Sequence, residues 1–153
     1  MEHKVIIVPS RIEDVYRLAH ALRPRDRSEI LATGLDPRRA LRFCYRNAIL
    51  RRTAFVDGRL AAMWGLGGGM LSDVGTPWMI STRAVESCPL TFVRVYRAQV
   101  AEMLTLRREL SGYVHASYEG ACRVLRLVGF HLEAAEPWGL RGELFHHFVI
   151  RRR

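Results

Sequence analysis

The sequence predicts an α/β protein, a mixed central sheet with helices on both faces. Three observations carry that expectation. Strand-like runs alternate with helix-like runs along the chain instead of gathering at one end, the pattern that lets a sheet be covered on two sides. An Asp57-Gly58 pair sits between two apolar runs, a strong short-range hairpin signal. After Pro89 comes a long amphipathic stretch whose stripe of Phe92, Val93, Tyr96, Val100, Met103 and Leu104 repeats at helical spacing. The 153 residues, 49% hydrophobic and 25% charged, are enough for one core-bearing domain spanning 1–153, and that mixture excludes a disordered or fibrous chain.

Taken in order, Val5-Ile6-Ile7-Val8 is a β-branched run closed by Pro9 and reads as an opening strand. Ser10, with Glu13 three residues on, has the form of a capping box, and Ile12, Val15, Leu18, Ala19 and Leu22 follow at helical spacing. Pro24 is expected to stop that helix. A polar stretch, 25–29, leads to the short apolar piece Ile30-Leu31-Ala32. Asp36 followed by Pro37 predicts a new helix start, with Ala40, Leu41, Cys44, Ala48 and Ile49 on one side. The strands at 53–56 and 59–64 flank Asp57-Gly58, which tolerates the positive φ angles of a two-residue turn. A glycine-rich connection over 65–75 leads to a strand over 77–81. The long helix after Pro89 is expected to end at Gly112, leaving 113–116 as a short strand. A helix over 119–128 turns Ala121, Cys122, Leu125 and Val128 inward and has Gly129 as its C-cap. Strands at 130–132 and 144–150 finish the order, separated by a loop holding Pro137-Trp138-Gly139.

The 24 basic residues outnumber 15 acidic ones, giving a formal charge of +9, and Lys4 is the only lysine. An arginine-rich surface favours polyanions, so nucleic acid is one candidate partner and a phosphorylated cofactor another. The basic residues are scattered, and the one continuous run is the tail Arg151-Arg152-Arg153. Three cysteines without a CxxC pair argue against a disulfide framework and a zinc site. No apolar run approaches the roughly 18 residues of a membrane span. A reduced, cytoplasmic protein with no membrane partner is the expectation.

The order of elements resembles the GCN5-related N-acetyltransferase (GNAT) fold. The Gly129-Phe130 pair, preceded by Ala121 and Leu125, is similar to that family's Asn-x-x-Ala-x-x-x-Tyr-x-x-x-Gly-Phe segment. Three stretches, Ala54-Phe-Val-Asp-Gly-Arg-Leu-Ala-Ala-Met-Trp-Gly, Gly75-Thr-Pro-Trp-Met-Ile-Ser-Thr and the Gly129-Phe130 segment, together resemble a bacteriophage branch known as the internal virion protein A or acetyltransferase-like phage proteins. The resemblance implies a GNAT-like mixed sheet whose fourth and fifth strands splay apart. It also implies an acetyl-CoA-dependent N-acetyltransferase acting on an amine, with a host or virion protein as partner, located in the host cytoplasm or the virion. The cofactor would lie along Met79, Ile80 and Ser81 on one strand and Ser117 and Tyr118 after the other.

Three signatures depart from the family pattern. The stretch Glu86-Ser-Cys-Pro-Leu-Thr-Phe-Val-Arg stands where the family has a glycine-rich pyrophosphate loop, and it offers no glycine and a bulky Phe92. Arg83 or Arg94 could compensate by charge. Tyr118 replaces the usual Asn, and Leu125 replaces the tyrosine that serves as general acid. These departures support an alternative expectation: a catalytically degenerate GNAT-fold protein that binds a virion component or host factor.

Amine acetylation needs a base. Glu29, beside Asp26 on the expected acceptor side, is the first candidate, against the simpler reading of a solvated carboxylate at a helix start. His115, on the expected fifth strand, is the second, against a histidine that only packs at a strand end. Ser81 and Ser117 are candidate hydrogen-bonding partners for the cofactor. His146-His147 would point to opposite faces of a strand, so no metal site is expected.

Overall fold

The computed structural model describes residues 2–153. The opening strand β1 (Val5–Pro9) pairs antiparallel with β2 (Leu50–Val56), and three helices intervene: α1 (Ile12–His20), α2 (Pro24–Ala32) and α3 (Pro37–Asn47). β2 turns through Asp57 (φ 50°) and Gly58 (φ 80°) into β3 (Arg59–Gly67), the predicted hairpin. β4 (Val74–Ser81) lies antiparallel to β3, and a short 3-10 turn (Arg83–Ser87) leads into α4 (Pro89–Leu106). Then come β5 (Glu109–His115), α5 (Glu119–Val128), β6 (His131–Leu132), β7 (Glu136–Trp138) and β8 (Glu143–Arg151). The sheet has eight strands in the order β1-β2-β3-β4-β5-β8-β6, with β7 also on β8.

Helices cover the two faces unequally. On one face Val15, Leu18 and Leu41 of α1 and α3 pack on Met63, with Trp78 and Ile80 at the margin. On the other, Phe92, Tyr96, Val100 and Met103 of α4 and Cys122 and Val128 of α5 pack on Trp64, Leu66, Leu110, Val114 and Phe148. Trp64 is fully buried, and its indole N–H donates to Gln99 at 3.1 Å, so the core accepts its polar atom without penalty.

Several expected boundaries move for physical reasons. Pro24 begins a helix instead of only ending one, because the first helical position has no use for an N–H. Ser10 does not cap α1. The N-cap is Arg11, whose N–H donates to Asp14 Oδ2 at 2.9 Å, while Ser10 is committed to the buried Thr53 hydroxyl at 2.8 Å. β3 runs on through Gly65, where any Cβ would lie 2.5 Å from the Trp78 ring. Gly112 is not a helix stop; α4 ends six residues earlier, and Gly112 sits mid-strand because the Phe148 ring crosses its Cα, 2.7 Å from where a Cβ would be. Pro137 and Trp138 form a strand on the β8 edge instead of a loop. α3 ends at Asn47, so Ala48 and Ile49, expected on its inner side, lie beyond it and Ile49 is exposed; β2, β4 and β5 begin earlier than expected, at Leu50, Val74 and Glu109. Asp36 capping Arg39 at 3.1 Å and Gly129 ending α5 at φ 118° match the structure.

Candidate active site

The sheet opens where β4 and β5 should continue side by side. They are parallel neighbours only at Val74↔Glu109 and Gly75↔Leu110. The next donor a parallel ladder needs from β4 is the N–H of residue 77, and Pro77 has none. Beyond it each strand keeps only its other neighbour: β4 stays with β3 as far as Ala62↔Ser81, and β5 with β8 as far as His115↔Phe145. Strand alternation decides which backbone groups face the gap. The Thr82 N–H donates to Ala61, which turns the backbone groups of Ile80 toward β3 and those of Met79 and Ser81 into the gap. The Ala116 N–H donates to Leu144, which likewise turns the backbone groups of Tyr113 and His115 into the gap. Met79 and Ser81 therefore line it directly, while Ile80 packs its side chain toward α1 and α3.

The connection from β4 to α4 is tightly wound. The Thr82 hydroxyl accepts from the Ala84 N–H at 3.2 Å, and the Cys88 N–H donates to Val85 at 3.2 Å. Cys88 is the N-cap of α4 and makes no side-chain cap, so the first-turn N–H groups of Leu90 and Thr91 have no intrahelical acceptor. Arg83 and Arg94 are exposed at this end. Phe92 does not obstruct the connection, as the sequence suggested; it is buried and stacked on Tyr96 at 6.3 Å between centroids, because its position in the first turn of α4 faces the sheet.

α2 delivers Glu29 to the β5 wall. Loss of water pushes its carboxyl up to about 8; the Asp26 carboxylate adds to the shift, and the His115 backbone draws it partly back. Glu29 therefore holds a proton at neutral pH and becomes a base only as the pH passes about 8.

Asp26 is itself buried and fixed. It accepts from the Tyr118 hydroxyl at 2.7 Å and from Arg23 Nε at 3.0 Å, while the Arg23 guanidinium also donates to the Tyr118 oxygen and lies 3.9 Å from Glu86. Burial, reinforced by Asp26, holds the Tyr118 phenol well above its ordinary value, so it stays protonated. This network ties the start of α2 to the start of α5. Tyr118, expected to hold cofactor, has its hydroxyl committed to α2.

His115 ends β5 with both ring nitrogens engaged. Nδ1 is 2.7 Å from the Ser117 hydroxyl and accepts from the Ser117 N–H at 3.2 Å, while Nε2 faces Glu143 Oε1 at 3.5 Å. Below it, Tyr113 stacks on Trp138 at 4.2 Å; the two are 43% and 38% exposed. Sequence reasoning missed Glu143, Arg23 and Pro77. The first two carry no spacing signal, but a proline inside a strand is a readable sign that its ladder stops. His146 and His147 diverge as expected, His146 donating to the Glu133 carbonyl and His147 facing the Glu133 carboxylate at 3.3 Å. Among the described residues, no group of three His, Cys, Asp or Glu is placed to hold a metal ion. Among the described residues, no helix is long and apolar enough to cross a membrane.

The overall arrangement of elements is shared with solved structures. A spermidine N-acetyltransferase from Vibrio cholerae, in complex with CoA and spermine, superposes with a TM-score of 0.72 over 96% of this chain and 95% of its own, at 14% identity. A GNAT-family acetyltransferase from Bacillus anthracis gives 0.71 over 96% and 94%, at 9% identity. Another from Streptococcus pneumoniae gives 0.65 over 98% and 100%, at 15% identity. The chain has the GNAT fold. No protein-family profile matches the sequence, and no curated protein is similar to it by sequence.

Proposed function

We propose that the chain is an acetyl-CoA-dependent N-acetyltransferase acting on an amine. The observation that carries this reading is the gap between β4 and β5, with unpaired backbone groups of Met79 and Ser81 on one wall and Glu29 on the other. Those groups fit the amide chain of CoA, and the Leu90 and Thr91 N–H groups, with Arg83 and Arg94, are the donors for its phosphates. The cofactor supplies an acetyl thioester. Glu29 takes the proton of the acceptor amine, and the Asp26-Tyr118-Arg23 network holds α2 so that Glu29 stays on the β5 wall. His115 and Ser117 stand at the same end and shape the acceptor side. The neighbour from Vibrio cholerae, complexed with CoA and spermine, supports a cofactor of this class.

The finer assignment is to the phage-type branch, with a host protein as acceptor in the host cytoplasm. It rests on the sequence stretches around Asp57-Gly58, Pro77 and Gly129-Phe130. A second reading, a non-catalytic GNAT-fold protein binding a virion component or host factor, is favoured by the tightly wound 82–88 segment, where Thr82 occupies an N–H that a glycine loop would leave free. The exposed arginine tail leaves nucleic acid as a further candidate partner. The test is acetyl transfer from acetyl-CoA to a panel of amines and host-lysate proteins, followed by release of free CoA thiol. Transfer that rises through about pH 8 and is lost in Glu29→Gln supports the enzyme; no transfer with any acceptor supports the binding protein.

A further inference from the structure

His115, Ser117 and Glu143 form a constellation that direct transfer to an amine does not need. The Ser117 N–H donates to His115 Nδ1, so in this arrangement the ring proton sits on Nε2, facing Glu143. Nδ1 then carries the lone pair that the Ser117 hydroxyl, 2.7 Å away, shares with the longer Ser117 N–H contact. Sequence proximity accounts for the first contact, since the two residues share a tight turn. It does not account for Glu143, which arrives from β8 on the face shared with Phe145 and His115. Glu143 Oε2 is shielded from solvent and has no hydrogen-bond partner among the described residues, although its sister oxygen faces the imidazole. A carboxylate held in that way gains most when the ring becomes an imidazolium.

Ser117 is exposed and stands two residues before α5. The first-turn N–H groups of Glu119, Gly120 and Ala121 have no intrahelical acceptor, and the space beside Gly120 is open for 4 Å around a would-be Cβ. A nucleophile, its base, an orienting carboxylate and unspent donors thus meet at one end of the sheet.

We propose that Ser117, His115 and Glu143 are a nucleophile, base and orienting carboxylate that accept a small acyl group from an ester or thioester onto Ser117 Oγ. His115 Nδ1 takes the hydroxyl proton as Oγ bonds to the acyl carbon. The bond to the leaving sulfur or oxygen breaks with its electron pair, and the imidazolium returns the proton to that atom. Water then repeats the sequence: His115 takes its proton, the oxygen bonds to the acyl carbon, the bond to Oγ breaks, and Ser117 is regenerated with release of the carboxylic acid. A CoA thioester is one donor of this class, so the proposal extends the acetyltransferase reading, but it does not depend on CoA being the donor.

The test uses p-nitrophenyl acetate on the intact protein, with acetyl-CoA binding measured separately by calorimetry. The expected result is release of nitrophenol together with one added acetyl group located on the Ser117 peptide by mass spectrometry. Ser117→Ala and His115→Ala should abolish the label, and Glu143→Gln should slow its formation by about tenfold or more. Thermal unfolding of each variant shows whether it is folded, and a serine-directed fluorophosphonate gives a second readout on any variant that is. Absence of both acetyl and fluorophosphonate on Ser117, with no Ser117-dependent release of nitrophenol, or a label that persists in folded His115→Ala, overturns the proposal. Acetyl on Ser117 without acetyl-CoA binding leaves it standing while the cofactor reading falls; acetyl-CoA binding without any of these Ser117 signals does the reverse.

Discussion

The two halves of the sheet treat similar residues differently. Trp64, on β3, is fully buried with its N–H bonded to Gln99, whereas Trp138, on β7, is 38% exposed and stacked on Tyr113. The β1–β4 half is covered by α1 and α3 on one face and α4 on the other. On the β5–β8 half α5 packs on one face, while Tyr113, His115, Phe145 and His147 line the other. Both halves contribute to the core, Leu110, Val114 and Phe148 among them, and Phe145 is buried even on the face away from α5. The titratable groups of the candidate site, Glu29 and His115, lie at the boundary between the halves, where each is only partly exposed.

The sharpest way to break this contrast is to truncate both tryptophans. Trp64→Ala should cost about 3–5 kcal/mol of stability, since it empties a close-packed site. It should lower the urea midpoint without changing the slope. If Trp64→Ala proves mild, the Trp64 site is not close-packed as described.

Glu29→Gln separates chemistry from stability. Transfer to amines should fall by about 100-fold or more, with acetyl-CoA binding retained. The sign for stability follows from the raised value. The folded protein binds a proton at Glu29 that the unfolded chain gives up, so stability falls as pH rises from the ordinary carboxyl range toward about 8. Glu29→Gln should flatten that fall and make the variant the more stable protein at pH 8, as read by denaturant titrations at pH 5 and pH 8. Equal pH slopes in the two proteins would show that Glu29 is not dried as described.

Tyr118→Phe is expected to be smaller, about 1–2 kcal/mol, because Asp26 loses one donor but keeps Arg23. The same variant should weaken transfer more than CoA binding if the network positions Glu29. Smallest of all, Trp138→Ala should cost about 1 kcal/mol or less by denaturant titration, because it removes a half-exposed stack on Tyr113 and Phe145 rather than a core residue.

The same contrast explains what could be read from the sequence. The covered half declares itself: the Asp57-Gly58 turn, the Asp36 cap and the α4 stripe each follow from local chemistry, and each is present. Where strands are half covered the signals weaken. Gly112 reads as a helix stop but serves the passage of Phe148, and Pro137-Trp138 reads as a loop but forms an edge strand. At the candidate site, Glu29 and His115 could be named as residue types suited to the chemistry, and the structure places the Glu29 carboxyl and the His115 backbone together. Their partners could not. Tyr118 is 92 residues from Asp26, and Glu143 reaches His115 only through the β5–β8 register. No local pattern encodes such pairings.

The central claim is that the gap between β4 and β5 is a cofactor site. Calorimetric titration of the purified protein with acetyl-CoA and CoA, at low and moderate salt, tests it most directly. The account predicts saturable one-to-one binding of about micromolar strength that survives added salt, because backbone groups in the gap contribute beside the arginines. No binding, or binding that moderate salt abolishes, would contradict it and leave a GNAT fold used for contacts with another macromolecule.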